Sequence, residues 1–169
     1  MDKITQSITI VKCAIKHGFR AKYVLTDSWF SSKGFIQAMR QIKNHAPHVV
    51  CGVRRDKRQY TYQGKKLNAK ALLATLKKEG NVKRCRKLNT RYFEVVVQYE
   101  GVGDVKLYLC RFPYQKQWRV FLSIDTSLSF LTMMEIYATR WTIEVFFKET
   151  PMPRVRGTPM NEKWGSRSA

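Results

Sequence analysis

The stretch Tyr137-Ala-Thr-Arg140-Trp-Thr-Ile-Glu144-Val-Phe-Phe-Lys148 constrains the chain more than any other. At ~100° per residue, positions 137, 140, 144 and 148 share a narrow sector of one helix, and Met134, Ala138, Trp141 and Val145 form an apolar stripe beside it. A tyrosine, an arginine, a carboxylate and a lysine therefore lie on one face next to buried surface. Taken alone, the face also reads as a solvated stripe of ion pairs, because Arg140 with Glu144 and Glu144 with Lys148 are i,i+4 partners worth about 0.2 to 0.5 kcal/mol each. Pro151 locks its own φ and pushes Thr150 out of the helical region, so the helix is predicted to run from about Phe130 to Glu149. Asp125 or Ser129 can cap its start.

Near the other end of the chain, Ile4, Ile8, Val11 and Ile15 recur at helical spacing, with His17-Gly18 as a last turn, so residues 3–17 read as an amphipathic helix. Ala21 to Thr26 is short, rich in strand formers, and leads directly into Asp27. A carboxylate at the carboxyl end of a strand opens into the crevice where an open α/β sheet binds its ligand. Read locally, Asp27 is equally a turn or capping residue. Ser31 or Ser32 can cap a following helix through Phe35, Met39 and Ile42.

Between these segments the character changes. Val49 to Val53 reads as a strand, Tyr60-Thr-Tyr62 with Gly64 as a short hairpin, and Asn68 caps a helix that Gly80 ends. Val82–Lys87, Arg91–Tyr99, Val105–Phe112 and Trp118–Ile124 follow as strands. This β-rich region is where positive charge clusters, at Arg54, Arg55, Lys57 and Arg58 and again at Lys83, Arg84, Arg86 and Lys87, with Tyr60, Tyr62 and Tyr92 nearby. The whole chain carries 32 basic and 12 acidic residues, a net charge of +20. A soluble domain of ordinary solubility needs a net magnitude of only roughly 2 to 8, so the excess points to a polyanionic partner, nucleic acid first. Cations and exposed rings on hairpins would contact phosphates and stack on bases, or they simply solubilise strands and protect edges.

Several classes of function are excluded. Cys13, Cys51, Cys85 and Cys110 include no C-x2-C pair, so neither a zinc site nor a disulfide framework is legible. His45 and His48 flank Pro47 in what reads as a loop rather than a metal site. No run of ~18 apolar residues and no signal-peptide core is present, so no membrane association is expected. Residues 150–169 hold three prolines and no periodic apolar pattern, and read as a disordered tail.

The Tyr-x2-Arg-x3-Glu pattern at Tyr137, Arg140 and Glu144, with Trp141, Phe146 and Phe147, resembles the signature helix of bacterial insertion-sequence transposases of the DDE class, the "IS four" type. Leu25-Thr-Asp27-Ser-Trp-Phe-Ser31 is similar to the segment around the second catalytic aspartate of the same family. The resemblance implies an α/β (α+β) fold: a partial RNase H-like catalytic core from residues 1–43 and 124–149, with residues 44–123 as a β-rich basic insertion. It implies that Asp27 and Glu144 are metal-binding catalytic carboxylates, on the order of 4 to 8 Å apart around a metal pair. Tyr137, Arg140 and, as a substitute, Lys148 would contact phosphates. Where the family pattern continues to a lysine, this chain has Pro151.

The implied chemistry is DNA cleavage and strand transfer assisted by Mg2+ or Mn2+. The implied partners are double-stranded DNA at transposon ends and a second copy or a full-length transposase, in the bacterial cytoplasm at the nucleoid. Enzymes that distort DNA hold a flipped base on an aromatic ring, a role open to Trp118, although Trp118, Val120 and Leu122 alternate as core residues do. Before Asp27 the only acidic residue is Asp2, so the first carboxylate of the family is expected to be absent through truncation, and the chain to bind DNA without cutting it. A small basic RNA- or DNA-binding structural protein without nuclease ancestry is the alternative.

Overall fold

The computed structural model describes residues 2–43 and 45–149, of which 143–149 are described as backbone only. The expected tail at 150–169 and the side chains of Glu144 and Lys148 thus lie outside the described residues.

Helix α1 (Lys3–Lys16) leads into strand β1 (Tyr23–Thr26), and α2 (Lys33–Arg40) follows. Ser32 is its cap, accepting a hydrogen bond from the Phe35 amide at 3.3 Å. Strand β2 (His48–Val53), the hairpin β3 (Gln59–Tyr62) with β4 (Lys65–Asn68), and α3 (Ala69–Glu79) come next. Asn68 accepts from the Ala71 amide, and Gly80, at φ +75°, closes the helix in the left-handed region that glycine adopts without a Cβ penalty. Strands β5 (Lys83–Cys85), β6 (Thr90–Tyr99), β7 (Gly103–Arg111) and β8 (Arg119–Ser123) precede α4 (Phe130–Glu149). Ser129 caps α4 by accepting from the Thr132 amide, while Asp125 binds the amide and hydroxyl of Ser127 in the turn before it.

Among the described residues eight strands form one sheet, in the order β1-β2-β8-β7-β6-β3-β4, with β5 also paired to β6. β1 and β2 run parallel, and every other pair is antiparallel. Strands of the β-rich region thus continue the sheet that β1 begins. Alternation along β2 assigns the two faces, since Val49, Cys51 and Val53 join one core and Val50 the other. The first core packs Phe35, Ile36 and Met39 of α2 and Leu72 and Leu76 of α3 against Phe93, Leu107, Leu109 and Leu122. The second packs Leu128, Phe130, Met133 and Tyr137 against Val50, Tyr108, Cys110 and Phe121. The fold is therefore mixed α/β, with α2 and α3 on one face and α4 on the other.

Three expectations shift. The stripe expected at Met134, Ala138 and Trp141 is not the buried one, because α4 turns Phe130, Met133 and Tyr137 to the sheet. Trp141 is 51% exposed and, with Met134 and Ala138, lines an open apolar groove of about 460 Å³. The strand expected over Val82–Lys87 shrinks to three residues because the chain turns at once to start β6, with Asn89 in the left-handed region at φ 45°. The helix at 3–17 is present, but none of its residues is fully buried. Among the described residues no helix is long and apolar enough to cross a membrane.

Candidate functional site

β1 ends at Thr26, and Asp27 turns the chain into the loop before α2. Its Oδ1 accepts the Trp29 amide at 2.8 Å and its carbonyl accepts the Phe30 amide at 3.3 Å. The turn reading and the strand-end reading of Asp27 are thus compatible. One oxygen fixes the turn, and the half-buried carboxylate lines a cleft of about 440 Å³. Ser28 from the same loop, Gly52, Val53 and Arg55 from the end of β2, Trp118 to Phe121 at the start of β8, and Tyr137 and Arg140 from α4 complete its walls. Five residues singled out from the sequence, Asp27, Arg55, Trp118, Tyr137 and Arg140, come together here from four separate segments.

Gly52 explains how close the helix comes. A Cβ built on it would lie 3.5 Å from the Tyr137 hydroxyl and 3.7 Å from Ser28, so the tyrosine lies directly over the strand. Glycine inside an otherwise apolar strand is a sequence signal for such an approach. Tyr137 is 6% exposed, with its ring edge-on to Phe121 at 5.0 Å and the Arg140 guanidinium 5.3 Å from its centroid. Burial pushes the Tyr137 hydroxyl above its ordinary range, the nearby charge and hydrogen bond of Arg140 oppose this, and Asp27 and Cys51 add to it. The tyrosine is therefore a neutral hydroxyl donor next to a cation. Beneath the cleft, burial pushes the Cys51 thiol up to about 12, so it is an inert core thiol rather than a nucleophile.

The basic residues divide by partner. Arg55 and Arg119 line the cleft, and Arg119 is one that sequence reasoning missed, since it stands alone between Trp118 and Val120. Arg54 stacks its guanidinium 3.7 Å from the centroid of exposed Trp29. Arg58 points inward, binding Asp56 at 2.6 Å and both the carbonyl and hydroxyl of Ser31. Lys57 and Arg86 are exposed. Lys83 pairs with Glu94 at 2.7 Å, Lys87 with Glu135 at 2.6 Å, and Arg84 donates to Asn89 at 3.0 Å. Trp118 is half-buried, packed on Phe93 at 5.4 Å with the Lys77 ammonium 5.2 Å from its ring, and its edge reaches the cleft.

A divalent metal needs several oxygen ligands. Asp27 supplies one carboxylate with one oxygen already in a turn, and among the described residues no group of three His, Cys, Asp or Glu could hold an ion. Asp2 lines a second cleft of about 470 Å³ that also reaches Asp27. Glu144 lies on α4 one turn beyond Arg140, but its side chain lies outside the described residues. The described donors alone do not fit a metal pair.

The cleft thus presents one carboxylate, a buried tyrosine hydroxyl and three arginines, a set suited to holding a phosphodiester. No curated protein and no solved structure matches the chain. The family model described as "Transposase DDE domain" matches residues 4–152, which takes in β1 with Asp27, the entire sheet and α4. Domains of this family act in DNA transposition through DNA cleavage and strand transfer, with divalent metal ions. On that match the chain belongs to the transposase DDE domain family.

Proposed function

We propose that the chain is a transposase domain of the "IS four" type that binds double-stranded DNA at transposon ends and holds a phosphodiester in the cleft beside Asp27. The supporting observation is the meeting of Asp27, Arg55, Trp118, Arg119, Tyr137 and Arg140 around one cavity. Arg55, Arg119 and Arg140 carry fixed positive charge to a phosphate, and the Tyr137 hydroxyl donates a hydrogen bond to it. Trp118 offers a ring edge to an adjacent base. In this reading residues 1–43 and 124–149 are parts of the catalytic core, and residues 44–123 are a basic insertion that extends the same sheet.

Asp27 and Glu144 are the proposed ligands of Mg2+ or Mn2+, which when bound would supply activation of the attacking oxygen and stabilisation of the leaving one. Two carboxylates are one short of the set expected for this class, and Asp2 is the only other acid before β2. The chain alone is therefore expected to bind DNA but to transfer strands poorly or not at all. Loss of even ~5 kcal/mol of transition-state stabilisation slows turnover roughly 4,000-fold.

The test incubates the purified chain with DNA carrying its own flanking ends, in magnesium and in manganese, with Glu144→Gln as control. Binding without cleavage is the expected result. Cleavage by the unmodified chain but not the control would show that the site is complete, and Asp2→Asn would then ask whether Asp2 completes it. Absence of DNA binding at low salt would overturn the reading.

A further inference from the structure

The register of the sheet aligns arginines that the sequence keeps far apart. On β5 and β6, Arg84 stands directly opposite Arg91, and on β6 and β7, Arg91 stands directly opposite Arg111. Directly paired residues project from the same face of a sheet, so the three side chains form one row across three strands. All three are exposed. The side chains of Arg91 and Arg111 make no salt bridge and no hydrogen bond to a described residue, and among the paired positions no acid stands opposite any of the three. Like charges placed directly opposite one another destabilise a sheet, and this chain repeats the arrangement twice in succession.

The row also has a direction. Cys110 and Arg119 are the last pair between β7 and β8, so Arg111 and Trp118 are the next positions on the two strands. Trp118 and Arg55 both line the cleft beside Asp27. Charge therefore continues from the cleft, past the ring of Trp118, along Arg111, Arg91 and Arg84 to the far side of the sheet. At ~4.8 Å between neighbouring strands the three arginines span ~10 Å, and a DNA strand advancing 3.4 Å per nucleotide places about three phosphates over that length.

Resting on the proposed DNA-binding role, we propose that Arg84, Arg91 and Arg111 form a phosphate track that guides one strand of duplex DNA out of the cleft. The repulsion that the row imposes on the free protein is relieved when phosphates lie between the guanidiniums. Contacts of this kind carry no base sequence, so the track serves flanking DNA of any sequence.

The test compares Arg91→Gln/Arg111→Gln with the unmodified chain and with Lys12→Gln/Lys16→Gln, which removes the same charge from exposed positions on α1. Affinity for a mixed-sequence DNA duplex is measured over a range of salt concentrations. Each phosphate contact contributes about 0.9 to the slope of log affinity against log salt, so the track variant should flatten it by about 1.8 and the α1 variant by much less. Thermal melting separates this from misfolding, because removing opposed charges should leave the melting temperature unchanged or raise it. Equal flattening in both variants, or an unchanged slope in the track variant, overturns the track while leaving DNA binding intact. If the unmodified chain shows no salt-dependent binding to duplex DNA, the track and the proposed role fall together.

Discussion

Arg54 to Arg58 and Lys83 to Lys87 each carry four basic residues within five positions, yet the fold neutralises them in different places. In the first stretch Asp56 sits inside the cluster and captures Arg58, whose guanidinium also bonds Ser31 and fastens the loop after β2 to the start of α2. That leaves Arg55 to the cleft and Arg54 to Trp29. The second stretch has no acid of its own, so Lys83 reaches the half-buried Glu94 on β6 and Lys87 reaches the exposed Glu135 on α4. A run of charge in a sequence therefore states how much charge is present but not how much is available. Availability depends on which acids the fold brings alongside.

The largest expected effect separates the inward arginine from the outward ones. Arg58→Met strips the Ser31 carbonyl of its guanidinium partner and leaves Asp56 only the backbone amide of residue 58, where the Arg58 side chain is 21% exposed, and should cost about 1 to 2 kcal/mol in urea unfolding. Arg86→Gln, on an exposed position of the other stretch, should stay within ~0.5 kcal/mol. Equal losses would break the comparison.

Function should divide the same two stretches in the opposite sense. Arg55→Gln should weaken duplex DNA binding about fivefold to tenfold, the ~1 to 1.4 kcal/mol of one charged contact, with stability unchanged. Lys83→Gln should weaken it less than twofold, because its ammonium is already committed to Glu94.

Acid sharpens the contrast further. Hydrogen bonding from Arg58 holds the Asp56 carboxyl below its ordinary range. Burial pushes the Glu94 carboxyl up, but Lys83 and Lys106 together outweigh this and hold it low. A carboxyl lowered in the folded state stabilises above its unfolded pKa of about 4, and that contribution is lost as pH falls through the lower folded value. Stability should therefore be level between about pH 6 and 8 and decline below about pH 4, and the decline should be shallower in both Asp56→Asn and Glu94→Gln. An acid limb identical to that of the unmodified chain in either variant would remove that carboxyl from the account. Lys83→Gln should cost only ~0 to 1 kcal/mol in thermal melting, because Lys106 stays 3.2 Å from the Glu94 carboxylate.

Local signals were legible in the sequence and long-range ones were not. Ser32, Asn68, Gly80 and Ser129 mark helix ends through contacts within four residues, which a sequence displays directly. The positions of Asp27 at a strand end and of Tyr137 and Arg140 on one helix face were legible as local patterns, their roles came only from the family resemblance, and the structure lines one cleft with all three. The inward turn of Tyr137 was not, because it depends on the space over Gly52, 85 positions away in the chain. Nor was the alignment of Arg84, Arg91 and Arg111, which exists only in the register of three strands. The side chain of Glu144 remains outside what the structure describes.

Among the described strands β1 has one neighbour, β2, whereas β2 and β8 are each paired on both sides. Opening β1 breaks a single ladder of four register pairs, so its amides should exchange with solvent deuterium faster than those of Leu107 to Cys110 in the middle of the sheet. Asp27 is carried on that lightly held strand, while Arg55 and Arg119 of the same cleft extend from strands held on both sides. The carboxylate is therefore expected to open away from Arg55 and Arg119 more readily than those two arginines move apart. Slowing of β1 exchange when DNA fills the cleft would register that closure without any cleavage taking place.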